Sequence, residues 1–387
     1  MDVNLDAPIN SEVISGGYKG RDKTIDIVKG IGISLMVYRH ARGPYSEIVL
    51  LFHMAIFFVA SGYLYNRNYA NNMKTVGTYI AKKLKGLWIP YFNYTTLYLL
   101  LNNFFIRQNV YTNNSAFLVA GGLESQYVEL TEPLGMVDMV KEIAKAVLFR
   151  SGTQMGGALW FFQSLFFVLI GYTIMEFAIG RILPDKRDNF ILQSIISVTF
   201  LGLGFIFSIM NMQLGGLARV LSFYILIHIG VVFKHFNIMQ YIYDKFGIVV
   251  LVFLSIMVLF IGYHIGYISA VDNDIENPIF FVVMSVSGWI LLYSVAKILC
   301  RYSRIINKSF AYIGMHSVSI IGMHFLCFKL ISYIEVSFYK MDEYMLAAFP
   351  VLISSGLWWL AYMIAGITVP LLLNKIFWYF FMKVKRK

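Results

Sequence analysis

The sequence predicts an all-α fold, a polytopic helical bundle embedded in a membrane. Of the 387 residues, 58% are hydrophobic and only 14% are charged, and the mean hydropathy is +0.67. A soluble protein would carry charge on about a quarter of its residues to cover its surface. The apolar runs are also continuous, whereas an outer-membrane barrel would alternate polar and apolar positions. These observations exclude a soluble multidomain protein.

The apolar runs divide the chain into about ten predicted membrane helices, since each span needs about 20 mostly apolar residues. We predict a cytoplasmic N-terminal tail at 1–24, a transmembrane domain at 25–379 and a basic cytoplasmic tail at 380–387. The predicted spans lie near 26–45, 47–65, 87–106, 158–179, 189–210, 216–233, 246–269, 278–296, 310–334 and 345–373.

The net charge of +11 follows the predicted topology. Basic residues punctuate the apolar runs and do not gather on a soluble domain, so nucleic acid is not a predicted partner. With ten helices and the N-terminus inside, the inner segments hold about three times as many Lys and Arg residues as the outer ones. This bias predicts that both termini are cytoplasmic.

One connection is long, the predicted outer segment 107–157. Within it, the stretch from Leu134 to Phe149 has apolar residues at helical spacing and predicts an interfacial helix. The segment could serve as a lid or binding element, or it could be a plain surface loop. No internal repeat is visible, which argues against many transporter folds.

The histidines in the predicted spans are the main candidates for chemistry, because titratable residues in membrane helices are costly. His40 follows Lys29 by eleven residues, about three turns plus 20°, so one helix face presents both at an axial separation of about 16 Å. Counted from the helix ends, His40, His53 and His324 share one depth in the outer half of the membrane. Each could be a hydrogen-bonded structural residue, but the shared depth favours a common site.

A general base is the predicted chemistry of this histidine group. The spacings typical of zinc ligands are missing, so no metal is predicted. An imidazole takes a proton from a hydroxyl near neutral pH without a metal.

Basic residues at the predicted inner face form a second feature. Positive-inside anchoring and attraction to anionic lipid explain most of them, whereas a phosphate-bearing cytosolic substrate would also use them. Lys29 is the strongest candidate for the substrate role, because it is drawn into the membrane helix. The group comprises Arg21, Lys23 and Lys29 near helix 1, and Lys82, Lys83 and Lys85 before helix 3.

Several motifs resemble the integral-membrane acyltransferases called acyltransferase family 3. The stretch "RDKTIDIVKGIGISLMVYRH" is similar to the family's first helix, which has a basic residue, ten further residues and then a histidine, here Lys29 and His40. Further similar stretches are "FHMAIFFVASGYLY" from Phe52, "KKLKGLWIPY" from Lys82 and "LWFFQSLF" from Leu159. In "IGMHSVSIIGMH", three positions resemble the family's late Gly, Ser and His, namely Gly314, Ser317 and His324.

The resemblance implies an acyl donor, usually acetyl-CoA, that enters from the cytoplasm, and a carbohydrate or lipid-linked glycan as acceptor in a bacterial inner membrane. It also implies that His40 is catalytic and that Arg21 and Lys29 lie along the donor path. Basic residues flank the catalytic position where the family is often apolar, so we expect Arg39 and Arg42 to bind an acidic group on the acceptor, with lipid contact as the alternative.

The leading hypothesis is therefore a membrane O-acetyltransferase in which His40 acts as general base, oriented by His53 or His324, and Lys29 neutralises donor phosphate. Ser317 is expected to contact substrate. The alternative from another class is a proton-coupled transporter or glycan flippase that uses the buried histidines as a relay. The sequence leaves the oligomeric state open.

Overall fold

The computed structural model describes residues 22–116, 130–183, 185–212 and 214–385. Residues 1–21 of the predicted tail 1–24, with Arg21, lie outside the described residues. The α-helices are α1 (Lys23–His40), α2 (Ser46–Leu50), α3 (Ala55–Tyr63), α4 (Met73–Lys83), α5 (Ile89–Arg107), α6 (Met136–Val147), α7 (Trp160–Ile182), α8 (Lys186–Ile209), α9 (Leu217–His235), α10 (Ile238–Phe246), α11 (Ile248–Ile265), α12 (Pro278–Tyr302), α13 (Arg304–Met315), α14 (Ser317–Tyr339) and α15 (Trp358–Lys385). Strands β1 (Ile268–Ser269) and β2 (Asp274–Ile275) pair antiparallel.

The fold is an all-α bundle, as predicted. Within the described part of the chain, eight helical segments are long and apolar enough to cross a membrane. Helices α1 and α5, at the first and third predicted spans, fall outside that set. Four charged residues interrupt α1, and asparagine and tyrosine residues lower the hydropathy of α5. The count of ten spans and the orientation of the termini stay predictions.

Three predicted spans differ from the observed helices. The second divides into α2 and α3. Between them, the carbonyl oxygen of Val49 accepts hydrogen bonds from both the backbone amide and the imidazole of His53. The ninth divides into α13 and α14 at His316. The tenth begins at Trp358 and not at 345, after a 3-10 turn at Glu343–Ala347.

Two local features bound the helices that carry the basic and histidine residues. Helix α1 ends at His40, close before Gly43 and Pro44, since proline disfavours a helical conformation in the residue before it. A π-helical turn at Leu84–Trp88 joins α4 to α5, where Pro90 lacks an amide hydrogen for the regular helix ladder. The helix predicted within 134–149 is present as α6.

Helix α1 lies at the centre of the bundle. It packs against α3, α12, α13, α14 and α15, and its residues Ile27, Val28, Ile33 and Val37 are fully buried. Without water to drive helix association, membrane helices depend on close backbone packing at small residues. The centre of this bundle follows that rule at two helix crossings.

Glycines set both crossings. A methyl group added at Gly30 would lie 1.9 Å from the carbonyl oxygen of Phe310, and one at Gly314 would lie 1.9 Å from that of Asp26, so α1 and α13 touch through their backbones. Helices α3 and α9 touch in the same way at Gly62 and Gly230. Both crossings therefore depend on glycine at these positions.

We expect Gly314→Ala to destabilise the folded protein by about 1–3 kcal/mol or more, because the methyl group must push α13 away from α1. Gly171→Ala is the matched control, because nothing lies within 4 Å of a methyl group there. Thermal melting of the detergent-purified variants measures the effect. Equal melting temperatures for the two variants would contradict this account of the crossing.

Candidate active site

Two histidines from distant parts of the chain meet at the end of α1. His40 Nδ1 lies 2.8 Å from His324 Nε2, and the two rings stack with their centroids 5.0 Å apart. His40 is the last residue of α1, and His324 lies two turns into α14 and is fully buried. The convergence predicted from their depth is present.

The hydrogen bonds of His324 determine which nitrogens carry protons. Its Nδ1 lies 2.9 Å from the carbonyl oxygen of Ile320 and 3.1 Å from that of Ile321. A carbonyl oxygen only accepts, so in the neutral pair Nδ1 of His324 carries the hydrogen and its Nε2 has a free lone pair. His40 Nδ1 must then donate to that lone pair. The Nε2 atom of His40 is left unprotonated and able to accept a proton.

His40 and His53 line one cavity of about 140 Å³. Nδ1 of His53 is 2.9 Å from the carbonyl oxygen of Val49, so in the neutral ring its Nε2 is also unprotonated. Of the two residues expected to orient His40, His324 makes the contact, and His53 shares the cavity lining with His40. The other lining residues are Ile33, Met36, Leu50, Met54, Phe57, Gly157, Ala158, Trp160, Ser269, Ala270, Val271 and Ile321.

Aromatic rings hold the histidine pair in place. The ring of Phe325 lies 4.8 Å from that of His40 and 4.0 Å from that of His324, and the ring of Phe349 lies 4.6 Å from that of Phe325. These contacts exclude water from one side of the pair. The cavity lining is mostly apolar on the side of His40 toward the middle of α1, where Ile33 and Met36 lie one to two turns earlier in the helix.

The basic residues gather at the other end of α1. Because α1 is continuous, Lys29 lies about 16 Å from His40 along the axis. Burial, together with the positive charges of Lys82 and Lys29, lowers the pKa of Lys83 to about 8. Lys23 begins α1 and Lys85 lies exposed in the π-helical turn. We call Lys29, Lys82 and Lys83 the basic cluster.

Two tyrosines accompany the basic cluster. The ammonium group of Lys83 lies 4.9 Å from the ring centre of Tyr79, and Lys82 donates to the hydroxyl of Tyr69 at 3.3 Å. The rings of Tyr69 and Tyr79 are 4.7 Å apart. Tyr79 is buried and Tyr69 half-buried, so these rings hold the ammonium groups in place. Ammonium groups gathered in this way suit a ligand that carries phosphates.

The predicted acceptor-binding residues lie away from the cavity lining. Arg39 pairs with Glu47 at 3.7 Å, and Arg42 is the backbone-strained residue that follows the end of α1, with φ of 55°. Ser317 begins α14, two turns before His324 on the side of the basic cluster. Their roles in substrate binding stay predictions.

A separate polar cluster contains another buried histidine. His228 bonds to Tyr172 at 3.0 Å and to Ser194 at 2.8 Å, and nearby Glu176 pairs with Arg67. These partners belong to α7, α8 and the turn after α3. Among the described residues, no group of three His, Cys, Asp or Glu side chains is placed to hold a metal ion.

The sequence analysis missed one wall of the cavity, the hairpin of β1 and β2. Its residues Ser269, Ala270 and Val271 line the cavity beside Trp160, which belongs to the "LWFFQSLF" motif. Short polar residues between two membrane helices signal a turn, but only the tertiary structure brings this turn over His40.

A comparison with protein families accounts for these features. The chain matches the family described as the acyltransferase domain over residues 22–375, nearly its whole length. The chain belongs to this acyltransferase family. No curated protein and no solved structure matches it significantly. As an integral membrane acyltransferase, it holds the histidine pair and the basic cluster within the matched region.

We expect His40 to be neutral and to occupy a single tautomer, with its hydrogen on Nδ1 and with Nε2 unprotonated. Nitrogen NMR of ¹⁵N-histidine-labelled acyltransferase at neutral pH measures this directly, and the His40→Ala and His324→Ala variants assign the signals. A protonated Nε2 and a bare Nδ1 at His40 would contradict the proposed direction of the hydrogen bonds.

Proposed function

We propose that this acyltransferase moves an acetyl group from cytoplasmic acetyl-CoA to a hydroxyl of a cell-envelope carbohydrate or lipid-linked glycan in a bacterial inner membrane. The observation that carries the proposal is the His40–His324 pair. In this pair Nε2 of His40 is unprotonated, His40 lines a cavity, and the chain belongs to an acyltransferase family.

The reaction uses His40 as general base. Its Nε2 takes the proton of the acceptor hydroxyl while that oxygen attacks the thioester carbonyl, and the charge that forms on His40 is shared with His324 through the Nδ1–H···Nε2 bond. The tetrahedral intermediate collapses, the C–S bond breaks and CoA leaves as a thiolate. His40 then returns its proton to that sulfur, which leaves an acetyl ester and free CoA.

His324 acts as a positioning residue in this scheme. The carbonyl oxygens of Ile320 and Ile321 fix its tautomer, and its lone pair fixes that of His40, as a buried carboxylate does for the histidine of a serine hydrolase. His53 presents a second bare nitrogen to the cavity and can accept a hydrogen bond from the acceptor.

The basic cluster holds the phosphates of the donor in this proposal. Lys29, Lys82 and Lys83 lie at the opposite end of α1 from His40, and an extended pantetheine arm would bridge the axial distance of about 16 Å. Ammonium groups bind phosphate through charge-assisted hydrogen bonds. Lys23, Lys85 and Arg21 would add positive potential around the entrance.

Family membership favours this transferase over the transporter that the sequence left open. A proton relay of the kind a transporter needs would link the buried histidines across the bundle. His228, however, bonds to Tyr172 and Ser194, whereas His40 and His324 bond to each other.

We expect His40→Ala to abolish transfer of labelled acetyl groups from acetyl-CoA to isolated envelope glycans. We expect His324→Ala to lower kcat about a hundredfold with little change in donor affinity, because the base loses its orientation but the basic cluster is intact. His264→Ala, at an exposed position in α11, is the control. Wild-type turnover in purified His40→Ala would refute the base assignment.

We expect the affinity for acetyl-CoA to fall as pH rises through about 8, because Lys83 loses its charge there. Lys83→Arg should keep the affinity at higher pH, since a guanidinium stays charged, and Lys74→Arg on the same helix should not. Donor binding to the His40→Ala protein, measured by titration across this pH range, separates the effect from turnover. If the His40→Ala protein, which still has Lys83, bound acetyl-CoA with the same affinity across this pH range, the result would contradict the proposed donor site.

A further inference from the structure

A buried arginine packs behind the cavity wall that contains Trp160 and the β hairpin. Arg219 lies in α9, inside an apolar segment long enough to span the membrane, yet its residue surface is only 8% exposed. A charged side chain in such a place is costly and marks a functional position when its partners are specific.

The guanidinium of Arg219 joins three elements. Its Nε donates to the hydroxyl of Ser164 at 2.7 Å, its Nη1 donates to the carbonyl oxygen of Val271, and its carbon lies 4.5 Å from the ring centre of Trp160. The carboxylate of Asp272 attracts the positive charge of this guanidinium. Arg219 therefore ties α7 to the hairpin of β1 and β2.

These tied elements are the ones that face His40. Trp160 and the segment Ser269 to Val271 line the same cavity as His40 and His53. The Arg219 side chain covers part of the indole, and the rest of the half-buried ring lines the cavity. The hydroxyl of Ser269 donates to Asp272 at 2.6 Å, so its oxygen still accepts hydrogen bonds.

We propose that this wall is the acceptor subsite, in which a sugar ring packs on the indole of Trp160, and that Arg219 is the residue that positions the wall. The inference rests on the proposed function. An aromatic surface with a few fixed polar groups suits a sugar ring, whose C–H face is apolar and whose rim carries hydroxyls.

The placement of the donor supports this assignment. The basic cluster lies at the opposite end of α1, so the donor reaches His40 from that side. The wall of Trp160 and Ser269 is then available to the second substrate. A hydroxyl on a ring packed there would lie beside the two bare imidazole nitrogens.

Trp160 variants test the subsite by separating the two substrates. We expect Trp160→Leu to raise the KM for the glycan acceptor about tenfold or more, and Trp160→Phe to restore most of the affinity, while the KM for acetyl-CoA stays the same. Trp358→Leu is the matched control, because Trp358 is also half-buried and its indole N–H bonds to Tyr339 away from the cavity.

Arg219 variants test the positioning role. Arg219→Lys keeps the charge but cannot bond Ser164 and Val271 while covering the ring, so we expect the acceptor KM to rise severalfold with the donor KM unchanged. Arg181→Lys, at the other end of α7 and stacked on Phe177, is the control. If Arg219→Lys does not fold, the Trp160 pair decides the inference.

The outcomes separate this inference from the proposed function. Absence of any acetyl transfer by the unmodified protein would overturn both. A His40-dependent enzyme whose acceptor KM is the same in Trp160→Leu would overturn the subsite only. A rise in the donor KM with an unchanged acceptor KM would assign the wall to the acyl group of the donor and would also overturn it.

Discussion

The backbone contact between α1 and α13 is the constraint on which the rest of the site depends. Gly30 and Gly314 let the two helices approach to the point where a single methyl group would not fit. The chain then turns at His316 and α14 packs beside α1, which carries His324 to His40. A loosened crossing would separate the two imidazoles, and the direction of their hydrogen bond would be lost.

From this contact the site extends in two directions along α1. Toward one end lie the cations of Lys29, Lys82 and Lys83, and toward the other lie Trp160 and the β hairpin tied by Arg219. In the function we propose, the charged, water-soluble donor uses the cations at the first end of α1, and the carbohydrate acceptor uses the aromatic wall at the other end, where His40 lines the same cavity as Trp160.

Sequence reasoning reached the parts of this arrangement that depend on one helix at a time. The spacing of Lys29 and His40 needs only helical geometry, and the shared depth of the histidines needs only the span boundaries. The choice between His53 and His324 as partner of His40 needed tertiary structure, because both lie at the same depth and only the direction of each ring separates them. From the sequence alone, Arg219 had no assigned role, because its partners Ser164 and Val271 lie more than 50 residues away in the chain.

The structure of the protein with acetyl-CoA bound tests the central claim most directly. The account predicts that the phosphates lie at Lys29, Lys82 and Lys83. It further predicts that an acceptor hydroxyl hydrogen-bonded to His40 Nε2 would have its oxygen within about 3–4 Å of the thioester carbonyl carbon. It also predicts that the bond between His40 and His324 is retained. A thioester bound elsewhere, for example in the apolar groove between α11 and α12 near Gly262 and Met284, would contradict the account.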